Sequence, residues 1–447
     1  MSSDLSFSGK IAIWGYGREG QATHRYVSSQ NPAAEITIIS DGPVADALEE
    51  VEVLTGETGI TAIASGRFQL VVKSPGISLY RPEIARAQSM GTRFTSSTNL
   101  WFQAWPDAIS IGITGTKGKS TTASVLHYLF GLAGKKSKLL GNVGTAMLGE
   151  TPGADVTVLE LSSYQIADLE HFPKLALVTN LHPEHGPWHH GHDNYFRDKM
   201  RLVTGDESIP VVLNASDARV AHFVKNHANI THFEKPDGFH VEGEHVFDGP
   251  QKLDVRNLAL RGRHNLVNVA GAFAMLKMAG AYTAKRTWDF ANFTPLPHRL
   301  QELRLRSGVL AVNDSISTIP ETTRAALDVH AGVPFQLILG GVDRGQDFGQ
   351  LLEHLKTLPT LRGIYLADGR HADYPSTGEK LEQAIADLGL PLAGRFGAFD
   401  AAVKAALNAA QAGDTILLSP GAPSQTEFTD FEKRGARFLE LCRNHSA

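Results

Sequence analysis

The stretch Ile111–Thr122, IGITGTKGKSTT, constrains this chain more than any other. An apolar run from Ala108 to Ile113 reads as a short strand, Gly115 to Gly118 as a loop, and the residues from about Lys119 as a helix. A glycine-punctuated turn between strand and helix points successive backbone N–H groups inward and aims the helix N-terminus at the same spot. That geometry suits a chain of phosphates. Lys119 supplies a point charge there, and Ser120 or Thr121 a hydroxyl for magnesium. The plain alternative is a turn without a ligand, which leaves the order of strand, loop and helix without a purpose. Ile113 stands where the general phosphate-loop pattern has its first glycine, so the string is T-G-T-K-G-K-S-T instead.

A second ligand-binding outline precedes it. Lys10 to Trp14 (KIAIW) is a compact apolar strand, followed at once by Gly15-Tyr16-Gly17-Arg18-Glu19-Gly20. A helical stretch, Gln21 to Ser29, leads to a strand, Ile36 to Ile39, that ends at Ser40-Asp41. This is the dinucleotide-binding outline, and taken alone it fits a nicotinamide-dependent dehydrogenase with Asp41 on a ribose. Leu70 to Val72 is a further strand, closing in Lys73-Ser74-Pro75-Gly76, a turn whose backbone donors sit at a strand's C-terminal end. Thr95 to Asp107, with Pro106, reads as a passage into a second domain.

Beyond the phosphate loop, Lys138–Leu140 leads into Gly141-Asn142-Val143-Gly144, and Val156–Leu159 ends in Glu160-Leu161-Ser162-Ser163-Tyr164-Gln165. Glu160 places a carboxylate where a magnesium ligand is needed; its plain alternative is a solvated strand-end acid. Leu175–Thr179 opens onto Asn180-Leu181-His182-Pro183-Glu184-His185, then Trp188-His189-His190-Gly191-His192. Clustered imidazoles suit zinc, but no cysteine is near and the spacing fits no standard zinc motif. His189, His190 and His192 are therefore expected to decorate a mobile active-site loop. Lys199 follows on a helix, and Phe233 to Val255 reads as a hairpin. Later come Gly262-Arg263-His264-Asn265-Leu266-Val267-Asn268, the proline-stiffened Phe293–Pro297, and His298-Arg299-Leu300-Gln301-Glu302. Three strand ends, at Asn313-Asp314, Gly340-Gly341 and Ser419-Pro420, predict a third α/β unit with its own crevice.

These strings, in this order, resemble the Mur ligase family along essentially the whole chain. The most specific are TGTKGKST, ELSSYQ, the Asn180–His185 element, RHNLVN, PHRLQE and SPGAPS with Phe431 beyond. The resemblance implies an α/β protein of three domains: 1–106, Rossmann-like, for a uridine-diphosphate substrate; 107–295, a phosphate-loop ATPase-type domain; 296–447, Rossmann-like, for the incoming amino acid. It implies ATP on Gly115, Thr116, Lys117, Gly118, Lys119, Ser120, Thr121, Asn265, Asn268, Arg299 and Asp314. Two magnesium ions are implied at Ser120, Glu160 and His185, and Lys199 is implied to carry a carbamate that helps position metal. Lys119, Glu160, His185, Lys199 and Arg299 would be the catalytic set. The uridine-linked substrate is expected against Gly15, Gly17, Arg18, Glu19, Asp41, Ser74, Gly76 and Asn142.

Within the family, length and tail resemble the branch that joins glutamate to UDP-N-acetylmuramoyl-L-alanine through an acyl phosphate. Glutamate would sit against Thr318, Arg344, Ser424 and Phe431. The D-glutamate enzymes carry D-S-K-A-T where this chain has Asp314-Ser315-Ile316-Ser317-Thr318, and a lysine where it has Arg344. Those departures resemble a less common L-glutamate branch, served by a separate epimerase; D-glutamate is the alternative, and a folylpolyglutamate-type ligase a more distant one. A nucleotide-binding scaffold without catalysis is disfavoured by the presence of Lys119, Glu160, His185 and Lys199 together.

Composition narrows the setting. A net charge of −5 argues against nucleic acid as the main partner. A single cysteine, Cys442, rules out an intrachain disulfide framework, and no apolar run approaches membrane-spanning length. The opening MSSDLSFSGK lacks a signal-peptide layout. The expectation is a cytoplasmic, monomeric enzyme.

Overall fold

The computed structural model describes residues 7–40, 44, 51–143, 145–224, 227–260, 262–330, 332–369 and 375–445. Two compact units divide the chain, Met1–Phe293 and Thr294–Ala447. The first holds two parallel sheets. One has the order Glu52–Thr55, Glu35–Ser40, Lys10–Trp14, Leu70–Lys73, Arg93–Ser96. The other runs Ile230–Phe233, Val211–Asn214, Leu175–Val178, Ser110–Thr114, Val156–Glu160, Ser137–Gly141. Their inner strands are continuous apolar runs because helices cover both faces of a parallel sheet, and Ser110–Thr114 is buried at every residue.

In each sheet the chain reverses its direction of travel across the sheet at one place. In the first sheet this lies between Lys10–Trp14 and Leu70–Lys73, in the second between Ser110–Thr114 and Leu175–Val178. A reversal splays the loops at the strands' carboxyl ends and leaves a crevice there. The glycine loop after Trp14, the Ser-Pro-Gly turn, the phosphate loop and the Asn180–His185 loop occupy those two crevices.

The helix Lys119–Leu132 packs along Arg263–Met278, and together they carry much of the second sheet's core, including Val125, Leu129, Val269 and Phe273. The expected hairpin is a three-stranded antiparallel sheet, Phe239–Glu242, His245–Asp248 and Gln251–Lys252. Thr95–Asp107, the expected passage into a second domain, carries regular structure. It forms the end of a strand and the helix Ser97–Ala104, capped by Ser96, whose polar first turn is buried. Asn99 explains the burial: its amide donates to Asp168 O at 2.8 Å and accepts from Glu170 N at 2.9 Å.

The second unit is a six-stranded sheet in the order Gln301–Arg304, Leu310–Asn313, Thr415–Leu418, Phe335–Leu339, Leu361–Ala367, Leu392–Phe396. Only Gln301–Arg304 is antiparallel. The carboxyl ends of Leu310–Asn313, Phe335–Leu339 and Thr415–Leu418 bear the three polar loops expected of it. Among the described residues no helix is long and apolar enough to cross a membrane.

Candidate active site

The phosphate loop is braced from its neighbours. Gly115 and Gly118 both have positive φ, and a side chain on either would collide, with Thr179 and Asn268 respectively. Asn268 is thereby brought onto the loop, and its amide reaches Asn265 Oδ1 at 3.5 Å. Lys117 N donates to Asn180 Oδ1 at 2.9 Å, and Lys117 Nζ pairs with Glu184 at 2.7 Å. Thr116 Oγ1 meets Tyr195 Oη at 2.9 Å, and Lys119 Nζ donates to Thr116 O at 3.0 Å. Thr121 is buried in the first turn of the following helix. The loop is thus a preformed cradle of backbone donors at a helix N-terminus.

Beside it, Ser120 Oγ lies 3.0 Å from Glu160 Oε1, and Asn142 Nδ2 lies 3.4 Å from the same oxygen. Glu160 is buried, and its Oε2 has no hydrogen-bond partner among the described residues. An orphaned buried carboxylate oxygen beside a hydroxyl is a fitting donor pair for a hard cation. His185 sits in the left-handed region at φ 53°, with Nδ1 2.9 Å from Tyr164 Oη. Partial desolvation of this part-exposed ring, aided by Lys199, Lys119 and Lys117, pushes its pKa down to about 4 against the pull of Glu184, which favours the neutral form with a lone pair to offer. Among the described residues no group of three His, Cys, Asp or Glu stands ready to hold a metal. The oxygen donors of Ser120 and Glu160 suit magnesium, which takes its remaining oxygens from phosphate and water.

Lys199 is buried, and its Nζ donates to Gly115 O at 2.9 Å. Burial first, then the neighbouring Lys119, holds its pKa well below the ordinary lysine value. A lowered pKa favours the neutral, nucleophilic form of the amine.

Gly15, Gly17, Arg18, Glu19, Ser74, Gly76, Lys119, Asn142, His185 and Lys199 line one cavity of about 660 Å³. Residues expected to serve two different ligands thus face the same space. Ser74 Oγ donates to Gly15 O at 2.8 Å and joins the two loops of the first sheet. Glu19 accepts from Ser97 Oγ at 2.5 Å, and burial raises its pKa. Asp41 and Gly144 lie outside the described residues.

Sequence reasoning passed over Lys73, Tyr80, Asp168, Trp188 and Tyr195. Lys73 is buried in an ion pair with Asp168 at 2.8 Å; the signal was a charge ending an all-apolar strand. Trp188 Nε1 donates to Gly76 O at 3.0 Å, and Ser78 Oγ donates to Trp188 O at 2.5 Å. The stretch after His185 is therefore docked on the Ser-Pro-Gly turn. His189 does not decorate a mobile loop: it is fully buried, with both ring nitrogens engaged. His190 and His192 are exposed.

In the second unit, His298 (φ 62°) and Leu300 (φ 44°) flank Arg299 with backbone that L-residues rarely adopt. Asp314 holds this segment: it accepts from Leu300 N at 3.3 Å, Ser317 Oγ at 2.5 Å and Ser419 Oγ at 2.8 Å. Thr318, Arg344 and Ser424 lie on the loops at three adjacent strand ends, and Ser315 Oγ donates to Phe431 O at 2.8 Å. Ser424 Oγ is buried without a hydrogen-bond partner among the described residues, while the exposed Arg344 reaches Gln425 Oε1 at 3.5 Å.

Residues 113–276 match the Mur ligase middle domain. A UDP-N-acetylmuramoyl-L-alanine–L-glutamate ligase from Xanthomonas oryzae pv. oryzae is 38% identical over 456 residues, covering 97% of this chain and 95% of that protein. One from Xylella fastidiosa strain Temecula1 is 37% identical over 454 residues, covering 97% and 94%. The crystal structure of a UDP-N-acetylmuramate–alanine ligase from Thermotoga maritima, 16% identical, matches with a TM-score of 0.60 over 96% of this chain and 98% of that one, a likeness of fold.

Proposed function

The chain belongs to the Mur ligase family, and on that footing we propose that it joins L-glutamate to the carboxylate of UDP-N-acetylmuramoyl-L-alanine at the expense of ATP. The observation that carries this reading is the single cavity shared by the first sheet's glycine and Ser-Pro-Gly loops and by Lys119, His185 and Lys199. A uridine-diphosphate tail anchored on the first sheet would bring its far carboxylate to the phosphate loop. The relatives' names favour L-glutamate, as do Ile316 and Arg344 in place of lysines.

A carboxylate is a poor acyl donor, so the γ-phosphoryl group of ATP must first pass to it. The glutamate amine then attacks the acyl phosphate, and the tetrahedral intermediate expels phosphate to leave the amide. Lys119 and the loop's backbone donors would offset the repulsion between two anions in a preorganised site, and Arg299 would supply a further cation. Ser120 and Glu160 would hold one magnesium and His185 a second, which neutralise phosphate charge. Lys199, as a carbamate, would become an anion able to hold a ligand where its ammonium could not. Asn265 and Asn268 would contact ATP, and Thr318, Arg344, Ser424 and Phe431 would grip glutamate. Closure at the segments near Asp107 and Pro295 would exclude water from the acyl phosphate, with functional domains 1–106, 107–295 and 296–447. The setting is cytoplasmic, the enzyme a monomer, and an epimerase its functional partner.

The test is ADP release by purified protein with UDP-N-acetylmuramoyl-L-alanine and L-glutamate, D-glutamate or neither. Turnover with L-glutamate alone is expected. Turnover with D-glutamate alone would reassign the isomer, and silence with both would sink the substrate assignment.

A further inference from the structure

The proposed ligation assigns no role to Trp188, which stands next to the cavity and in contact with its lining. The indole Nε1–H donates to Gly76 O at 3.0 Å, and the Trp188 carbonyl accepts from Ser78 Oγ at 2.5 Å. Trp188 is thus held twice by the Ser-Pro-Gly turn and the residues that follow it. Its ring stacks on Tyr164, with centroids 4.6 Å apart and planes at 27°, and Tyr164 Oη lies 2.9 Å from His185 Nδ1. Pro75, Gly76 and Ile77 line the cavity from the first sheet, Tyr164 and His185 from the second. Trp188 therefore joins two walls of one cavity. The same segment makes a second tie, for the Tyr80 hydroxyl donates to Asp198 at 3.0 Å, on the helix His192–Thr204 that bears Lys199. The two bonds of Trp188 need no titratable group: an indole N–H and a serine hydroxyl each donate to a backbone carbonyl.

We infer that Trp188 is a positioning residue of the ligation. It fastens the Tyr164–His185 wall to the Ser-Pro-Gly turn, so that a uridine-linked substrate held on that turn presents its carboxylate at one fixed place before the phosphate loop. The inference rests on the proposed function. The cavity is built from loops of two sheets, and loops are the parts of an α/β fold that move most easily. The reaction tolerates little such movement, since a misplacement of about 1 Å costs about 10²-fold in rate. Packing alone would ask only for a flat ring at this position, and phenylalanine would serve. The directional bond from the indole N–H is what such a ring cannot supply, and it ends on the backbone of the turn expected to hold the substrate. Ser74 is anchored separately, by Oγ on Gly15 O at 2.8 Å, so the turn keeps its shape without the indole bond. What goes is its spacing from the opposite wall.

Calorimetry and steady-state kinetics on Trp188→Phe test this, because that variant keeps a ring on Tyr164 and removes the indole N–H. Titration with UDP-N-acetylmuramoyl-L-alanine, without nucleotide or magnesium, should give one site per chain and a Kd within about twofold of wild type. The rate per binding-competent site, kcat, should fall about tenfold with KM for ATP unchanged, as a misplaced carboxylate predicts. Trp188→Ala, which also loses the stack, should fall further, toward about 100-fold. A Trp188→Phe enzyme with wild-type kcat would overturn the inference, since the ring alone then suffices. So would a loss of rate matched by an equal loss of binding-competent protein, which is a folding defect, or a weakened Kd with kcat unchanged, which is a binding role. A wild-type enzyme that neither binds nor converts this substrate would instead sink the proposed function, and the inference with it. Equal turnover by wild type and Trp188→Phe would sink the inference alone.

Discussion

Lys199 in the first unit and Arg434 in the second are both buried cations, and the protein treats them in opposite ways. Arg434 donates from Nε to Ser315 Oγ at 3.0 Å, from Nη1 to Ala422 O at 3.0 Å and from Nη2 to Ser315 O at 2.9 Å. Burial lowers its pKa to about 9 while Asp314 supports the charge, so it stays protonated at neutral pH. Lys199, among the described residues, has a single hydrogen bond and lies near Lys119 and Lys117. A buried cation with its donors satisfied is architecture, because removing it strands the groups around it. One left short of partners has its pKa pushed down and becomes available for chemistry.

The largest effect that would break this comparison is on stability. Arg434→Met should destabilise the second unit by about 3–5 kcal/mol, because Ser315 Oγ, Ser315 O and Ala422 O lose their buried donors, while leaving nucleotide affinity unchanged. Urea unfolding followed beside nucleotide titration checks both halves; an unmoved midpoint would dissolve the contrast. Lys199→Ala should do the reverse, cutting kcat about 10²–10³-fold with the fold intact. Partial recovery in formate or acetate, read by ADP release, would mark the missing group as an anion. Recovery with an ammonium compound instead would refute the carbamate.

A smaller effect concerns pH. The folded pKa of Lys199 is depressed, so between that pKa and about 10.4 the unfolded chain binds a proton that the native one refuses. In carbon-dioxide-free buffer, stability should therefore rise with pH from the folded pKa up to that value. Lys199→Met should flatten the rise and add about 1–2 kcal/mol near pH 7, measured by urea unfolding at several pH values. The smallest effect is on the loop that accepts Lys199's hydrogen bond. Gly118→Ala should weaken nucleotide binding about tenfold, since φ is 82° there and the new methyl would meet Asn268. Wild-type affinity in that variant would mean that the loop adapts.

Much of the frame was legible because parallel strands buried on both faces read as uninterrupted apolar runs. Lys10–Trp14 and Val156–Glu160 stand in the structure almost as the residues announce them. The helix Ser97–Ala104 was not legible, because Ser97, Thr98 and Asn99 have a linker's composition. They are buried only because Glu19, Asp168 and Glu170, distant in sequence, hydrogen-bond Ser97 and Asn99. His189 misled for the same reason: beside His190 and His192 it looks like surface decoration, and its partners Ser163 and Asp198 are brought to it by the fold.

The residues alone determined that a phosphate-binding loop lies between a buried strand and a helix, and which side chains stand at the strand ends where α/β sheets bind ligands. Both follow from local sterics and short-range hydrophobic pattern, which the chain carries with it. Only the tertiary structure decided that the first sheet's glycine loops and the phosphate loop share one cavity, that the pKa of Lys199 is pushed down, and that His189 is hydrogen-bonded to Ser163. Those properties depend on desolvation and on hydrogen-bond partners far apart in sequence, and neither exists until the chain is packed.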